Sequence, residues 1–199
     1  MSSGKQNITI EINAKPSASE LCQFWTRLKN DSTLTGIFMD TMPAYLEDFL
    51  LPIAEDKMAI WTISVNGELA GAHWIHDIRT CMESRSGWLA TYYFKEYRRK
   101  LRTVAAKKVI EAAQLAGIKH IFTGIRTTNK PTLVFGYAVG FHLVGEIERF
   151  GWFEGELDGL YVLTVEPDDA EEAMRHGHER AQYYRTHSPL SVVSNDTSH

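Results

Sequence analysis

Residues 94–108, FKEYRRKLRTVAAKK, carry seven cationic side chains (Lys95, Arg98, Arg99, Lys100, Arg102, Lys107 and Lys108) against one acid, Glu96. An apolar, strand-like run ends here and a helix-forming run begins. The first turn of a helix has backbone N–H groups without internal partners, and the helix dipole adds partial positive charge at that end. Cations gathered at such a junction suit a phosphorylated ligand. The plainer reading is a solvated charged face, but the strand–turn–helix position favours an anion site. The whole chain has a formal net charge of -4, so the basicity is local. No basic surface interleaved with aromatics extends beyond it, and a nucleic-acid partner is not expected.

Other residue types capable of chemistry are scattered. His73 and His76 fall in a strand-like run, where their spacing sends them to opposite faces, so they cannot share one metal from that strand. No other His, Cys or acidic cluster has ligand spacing, and no metal site is expected. A half-buried sheet position is the plainer reading for either histidine. Tyr92 and Tyr93 end a strand and also face opposite ways, so core or cross-strand packing is expected for one of them. Asn129 fits two roles, the start of a helix or contact with a ligand. Cys81 lies in an expected loop, with only Arg79 nearby to depress its pKa. His176, His178, His187 and His199 are dispersed along the tail and read as inert. For Trp88, Phe150, Trp152 and Phe153, burial in the core is the default and a partner or acceptor surface the alternative.

The elements that must position these groups are legible from periodicity. At 199 residues, 44% hydrophobic and 11% aromatic, the chain fits one domain with extensions and can bury a sizeable core. No apolar run is long enough to span a bilayer, and the N-terminus lacks the apolar stretch of a secretory signal. Two cysteines without CxxC or metal spacing read as a reduced intracellular pair. Ile8–Ile12 alternates like a first strand. Ser17–Glu20 offers a capped helix start, with Leu21, Phe24, Trp25 and Leu28 at helical spacing. Asp40–Ile53 carries a second helical set (Met42, Tyr45, Leu46, Phe49, Leu50), with Pro43 in its first turn. Lys57–Asp77 reads as a hairpin turning at Asn66-Gly67. Gly87–Phe94 is a strand. A helix follows from about Thr103 to Ala116, with Leu101, Ala105, Val109, Ala112 and Ala116 on one face and Gly117 as its stop. His120–Ile125 is a strand, expected to pair in parallel with the preceding one through a right-handed crossover. A short helix, Pro131–Val139, precedes two strands, Phe141–Phe150 and Leu160–Val165, around a Gly/Glu/Asp-rich turn. Asp168–Tyr184 is a polar helix candidate, and the Ser/Thr/Asn tail beyond is expected to be mobile. The expected organisation is a polar segment 1–16 with the first strand, a domain over 17–166, and a polar extension over 167–199.

That order of elements resembles the GCN5-related N-acetyltransferase (GNAT) superfamily. Glu96-Tyr97-Arg98-Arg99-Lys100 is similar to the family's PEYRGKG segment at the acyl-CoA pyrophosphate loop. Asn129, followed eleven residues later by Gly140-Phe141, is similar to its N…GF segment, and Gly145-Glu146 and Leu160–Leu163 stand where its last two strands run. The resemblance implies an α/β fold, with a mixed, mostly antiparallel twisted sheet flanked by helices on both faces. It implies direct acetyl transfer from acetyl-CoA to an amine, the acceptor being a small molecule or a protein. Arg98, Arg99, Lys100, Leu101, Arg102 and Thr103 would hold the pyrophosphate. The backbone of Tyr93 and Phe94 would hold pantetheine and the thioester carbonyl, and Asn129 and Tyr137 would line the thiol end. Because the hairpin strand borders the acceptor cleft in the family, His73 is a candidate base there, with Asp77 and Glu83 beside it.

Two positions depart from the family pattern. Leu101 and Thr103 stand where loop glycines usually allow close approach to the pyrophosphate. Counting from Asn129, the family's thiolate-protonating tyrosine falls on Gly136, one residue before Tyr137, and a one-residue shift turns a helical side chain by about 100°. These departures, with the polar extension, suit a second reading: a non-catalytic chain that keeps the fold for assembly, as in bacteriophage virion or head-assembly proteins. The expected location is the cytoplasm, or a virion if phage-encoded, and pairing into a homodimer or larger assembly is an open expectation.

Overall fold

Ser17 opens the first helix as its sequence signature predicts. Its hydroxyl accepts from the Glu20 amide, and the Glu20 carboxylate accepts from the Ser17 amide, 2.9 Å away. The computed structural model describes residues 8–30, 43–81, 84–98, 102–153 and 155–165, which contain seven strands and four helices. They divide into two compact units, one running to Ile118 and the other from Lys119. Every ladder inside either unit is antiparallel. The polar tail and its helix candidate, residues 1–7 and Met42 lie outside the described residues.

In the first unit, β1 (Ile10–Asn13), β2 (Ala59–Val65), β3 (Glu68–Cys81) and β4 (Ser84–Tyr93) pair in that order. Asn66-Gly67 turns the β2–β3 hairpin with both residues at positive φ, 51° and 83°, which Asn and Gly tolerate best. One face of this sheet carries Met58, Ile60, Ala72, Trp74, Tyr92 and Phe94, covered by α1 (Ala18–Lys29) and α2 (Leu46–Ala54) through Leu21, Phe24, Trp25, Leu28 and Phe49. The Phe24 ring lies 6.0 Å from both Trp74 and Phe94. Each fully buried side chain of this size stabilises the fold by about 2–3 kcal/mol. The other face gathers Ile63, Val65, Ala70 and Tyr93 with Ala105 of α3 (Arg102–Leu115).

Several boundaries differ from the sequence reading. The second helix begins at Leu46 rather than before Pro43, because Asp48 accepts from the Tyr45 amide and so caps the chain there. The face that α3 buries is Ala105, Ala106, Val109, Ile110 and Ala113; Ala112 is half-buried and Ala116 exposed, so the expected stripe was turned toward solvent by part of a turn. Gly117 does end the helix, at φ 77°. Cys81 is the last residue of β3 rather than part of a loop, and β3 bends at a bulge between His76 and Arg79 with Asp77 at φ 52°.

In the second unit, β5 (Ile118–Arg126), β7 (Glu156–Val165) and β6 (His142–Phe153) pair in that order. The last two strands are longer than expected and leave a tight turn at Gly155, since the Gly/Glu/Asp-rich stretch largely joins the ladder. α4 (Lys130–Val139) starts on Asn129, whose side chain accepts from the Thr132 amide, and stops at Gly140 with φ 112°. Phe150 and Trp152 are not core residues: they sit on β6 at 39% and 71% exposure.

Candidate functional site

The end of β4 is fixed from three directions. Phe94 donates its backbone N–H to the Ala70 carbonyl at 3.0 Å. Antiparallel alternation then turns the backbone groups of Tyr93 away from β3. The Tyr93 carbonyl on that outer side accepts from Arg98 Nε at 3.0 Å. The Tyr93 hydroxyl lies 2.5 Å from His73 Nε2, and His73 Nδ1 lies 3.2 Å from Thr91 Oγ1. Of the two backbone amides assigned to the thioester by resemblance, that of Phe94 is therefore already given to β3.

Close approach of β3 makes this possible. A Cβ placed on Gly71 would stand 2.3 Å from the Tyr92 carbonyl oxygen and 2.9 Å from the Tyr93 Cα, both backbone atoms that cannot swing away. The following turn is equally anchored. Tyr97 N–H donates to the Phe94 carbonyl, and the Tyr97 hydroxyl donates to Glu68 at 2.7 Å. Glu96 pairs with Arg27 of α1, whose guanidinium also donates to the Leu69 carbonyl and lies 3.5 Å above the centre of the Phe94 ring. Glu96, Tyr97 and Arg98, the motif-bearing residues that the structure describes, thus each hold the strand end in place.

His73 is fully buried, not half-buried, and its burial pushes the imidazole down to about 3, so it stays neutral. His76 faces the other way, 3.0 Å from Asp77. Tyr92 packs under α1 and α2 while Tyr93 packs under α3, as alternation requires. Lys95, Thr103, Lys107 and Lys108 are exposed, and Arg98 is half-buried. Arg99, Lys100, Leu101 and Glu83 lie outside the described residues, as does the Arg102 side chain. No group of three metal-ligating side chains occurs among the described residues, and none of their helices is long and apolar enough to cross a membrane.

In the second unit, Tyr137 is fully buried. Gly136 faces the sheet: a Cβ there would meet Ile125 Cδ1 at 3.3 Å and Leu163 Cδ2 at 3.5 Å. The helix uses the missing side chain to sit against β5 and β7. Asp158, which sequence reasoning missed, is a buried carboxylate with four donors. Its Oδ1 accepts from Thr127 Oγ1 at 2.6 Å and from the Gly159 amide at 2.8 Å; its Oδ2 accepts from Arg126 Nε at 2.9 Å and Thr128 Oγ1 at 2.5 Å. Desolvation works to raise its pKa, but the hydrogen bonds from Thr127, Thr128, Arg126 and the Gly159 amide outweigh it and bring the carboxyl down to about 2. The run Arg126-Thr127-Thr128 ahead of Asn129 was the available signal.

No known family's sequence profile matches the chain, and no curated protein matches it in sequence. Solved structures do match. A spermidine N-acetyltransferase from Vibrio cholerae, in complex with CoA and spermine, superposes with a TM-score of 0.71 at 11% identity, over 81% of this chain and 98% of its own. A GNAT-family acetyltransferase from Streptococcus pneumoniae gives 0.64 at 20% identity, over 79% and 99%. The chain has the GNAT fold. A putative acetyltransferase from Salmonella typhimurium with acetyl-CoA shares that GNAT fold too, with a TM-score of 0.65 at 16% identity over 80% and 95%. Helices on both faces of the first unit's sheet and the antiparallel ladders agree with it.

Proposed function

We propose that the chain is an acyl-CoA-dependent N-acyltransferase that moves an acetyl group from acetyl-CoA to an amine by direct attack. The observation that carries this reading is the anchored end of β4 at Tyr93, held by Arg98, His73 and the close pass of Gly71, immediately before the basic turn. Two structures that share the fold hold CoA or acetyl-CoA.

Bound acetyl-CoA supplies an activated thioester: the acceptor nitrogen bonds to the acetyl carbon, the C–S bond breaks, and the thiolate takes a proton. The protein's share is positioning and fixed dipoles. Arg98 to Thr103 grip the pyrophosphate, and Thr103 is exposed at the first turn of the helix. The Tyr93 backbone, rather than that of Phe94, lines the pantetheine and thioester. Asn129 lines the thiol end, while the fully buried Tyr137 side chain presents no surface there. His73 is a positioning residue that orients Tyr93: a neutral, sealed imidazole with both nitrogens engaged is a poor base. Asp77 and Glu83 are the candidates that remain for receiving the amine proton. The acceptor is a small-molecule or protein amine.

Isothermal titration of the full chain with acetyl-CoA tests the reading, followed by mass analysis of products from a polyamine and peptide N-terminus panel. Micromolar binding and a product 42 Da heavier (roughly the mass of one acetyl group replacing a hydrogen, on the direct-transfer chemistry of acyl groups) are the expected results. No binding at millimolar acetyl-CoA overturns it.

A further inference from the structure

Asp158 grips three consecutive residues of one turn, and that turn leads straight into a helix. The same carboxylate also accepts from the next amide in its own strand, Gly159. In return the Gly159 carbonyl accepts from the Thr127 amide at 3.0 Å. Gly159 has no room for a side chain: a Cβ would stand 2.9 Å from both the Ile147 carbonyl oxygen and Thr127 Cγ2, and 3.0 Å from the Glu148 carbonyl oxygen. These contacts occur where the β6–β7 ladder is interrupted between Ile147 and Gly151. The bulge in β6 and the side-chain-free position in β7 let the Arg126–Thr128 turn press against both strands.

Local hydrogen bonds link that turn to the start of α4. Asn129 N–H donates to the Arg126 carbonyl at 2.9 Å, Lys130 N–H to Thr128, and the amides of Thr132 and Leu133 to the Asn129 carbonyl. Asn129 itself is exposed. Its placement is therefore set in part by the residues that Asp158 holds, together with the seating of Leu133 and Gly136 further along α4.

We propose that Asp158 is a positioning residue, whose carboxylate fixes the Arg126–Thr128 turn so that Asn129 and the first turn of α4 are presented in one orientation to the acyl-CoA thiol end. The cofactor half of this inference rests on the transferase reading above. Its turn-holding half stands on the hydrogen bonds alone. A buried acceptor with charge-assisted donors is stiffer than a neutral one, because each donor is held by an ionised oxygen. Asparagine at the same site keeps the shape but replaces one acceptor oxygen with a donor that would confront Thr127 and Gly159 or Arg126 and Thr128.

The test uses the full chain with Asp158→Asn and, in case that variant fails to fold, Thr128→Val, which removes one donor without changing charge. Amide exchange by NMR is expected to speed at least tenfold at Thr132 and Leu133 in D158N and about threefold in T128V, with Ile60 and Trp74 unchanged. Acetyl-CoA dissociation constants are expected to rise about tenfold in D158N. Unchanged exchange at Thr132 and Leu133 in a folded variant overturns the turn-holding role, whatever the cofactor does. Faster exchange with an unaltered acetyl-CoA dissociation constant overturns the cofactor half. A wild-type chain that binds no acetyl-CoA overturns the transferase reading and the cofactor half together, and leaves the exchange result to decide the turn.

Discussion

His73 Nε2 and the Tyr93 hydroxyl oxygen lie 2.5 Å apart, with their rings nearly perpendicular at 85°. Both belong to the α3-facing side of the first sheet, one strand apart. A neutral imidazole there accepts on one nitrogen and donates on the other. The phenol is thereby held at the end of β4, where the transferase reading needs a fixed backbone.

This histidine has a consequence for pH. Its folded pKa is depressed to about 3 by burial, against 6.5 unperturbed, so it contributes stability above pH 6.5 and loses it as pH falls toward 3. The unfolded chain takes up the proton that the folded chain refuses. Unfolding free energies from urea titrations between pH 7 and pH 4 are expected to fall with a slope of up to about 1.4 kcal/mol per pH unit from this one group. In His73→Gln that part of the slope is expected to vanish. Equal slopes in the two proteins would show that the imidazole is not sealed.

Gly71→Ala is expected to destabilise the fold by about 1–3 kcal/mol, as overpacking against backbone does. The added methyl would meet the Tyr92 carbonyl oxygen and the Tyr93 Cα, so β4 must give way locally. Chemical denaturation reads the loss. Acetyl-CoA titration reads whether the strand end moved, with weaker binding expected.

Gly136→Tyr places a tyrosine where the family that the sequence resembles carries one and is expected to fail in structure. A Cβ at 136 already approaches Ile125 and Leu163, and the phenol would have to enter that packed interface. A drop in melting temperature of several degrees with no gain in turnover is the expected result; higher turnover in a folded variant would mean that α4 can rotate.

Ser17→Ala removes the acceptor for the Glu20 amide at the start of α1 and is expected to cost about 1 kcal/mol. Glu20 is also held below its ordinary range, first by the Ser17 backbone N–H, which alanine keeps, and in smaller part by the Ser17 hydroxyl, whose share is present above pH 4.5 and fades on acidification. Thermal melts of both proteins at pH 7 and pH 4 check this: the gap is expected to narrow at the lower pH.

Signals confined to a few adjacent residues were readable in the chain. Ser17–Glu20, Asn66-Gly67, Gly117 and Asn129 act through hydrogen bonds or φ values set within one turn, and each does what its residue type predicts. The α3 face was misplaced because alanines fill both candidate stripes, and only the partner surface decides between them. Asp158 was invisible because its partners lie about thirty residues earlier, and a lone aspartate in a strand carries no mark of burial. The engagement of Arg98 was hidden for a related reason: in sequence it is one of seven cations, while in space its Nε closes a carbonyl five residues back. For Phe150 and Trp152 hydrophobicity favours burial over the alternative of a surface, and their exposure on β6 shows that hydrophobicity alone does not decide between the two.

Thr9 and Asn66 clasp each other, the Thr9 amide reaching Asn66 Oδ1 and the Asn66 amide reaching the Thr9 carbonyl, each at 3.0 Å. During synthesis the segment around Thr9 leaves the ribosome more than fifty residues ahead of the turn it fastens. It must wait, solvated and without its ladder, until the loop between them has been made and closed, at the entropic cost that such closure carries. The strand β1 is accordingly translated well before β2, the strand on which it docks.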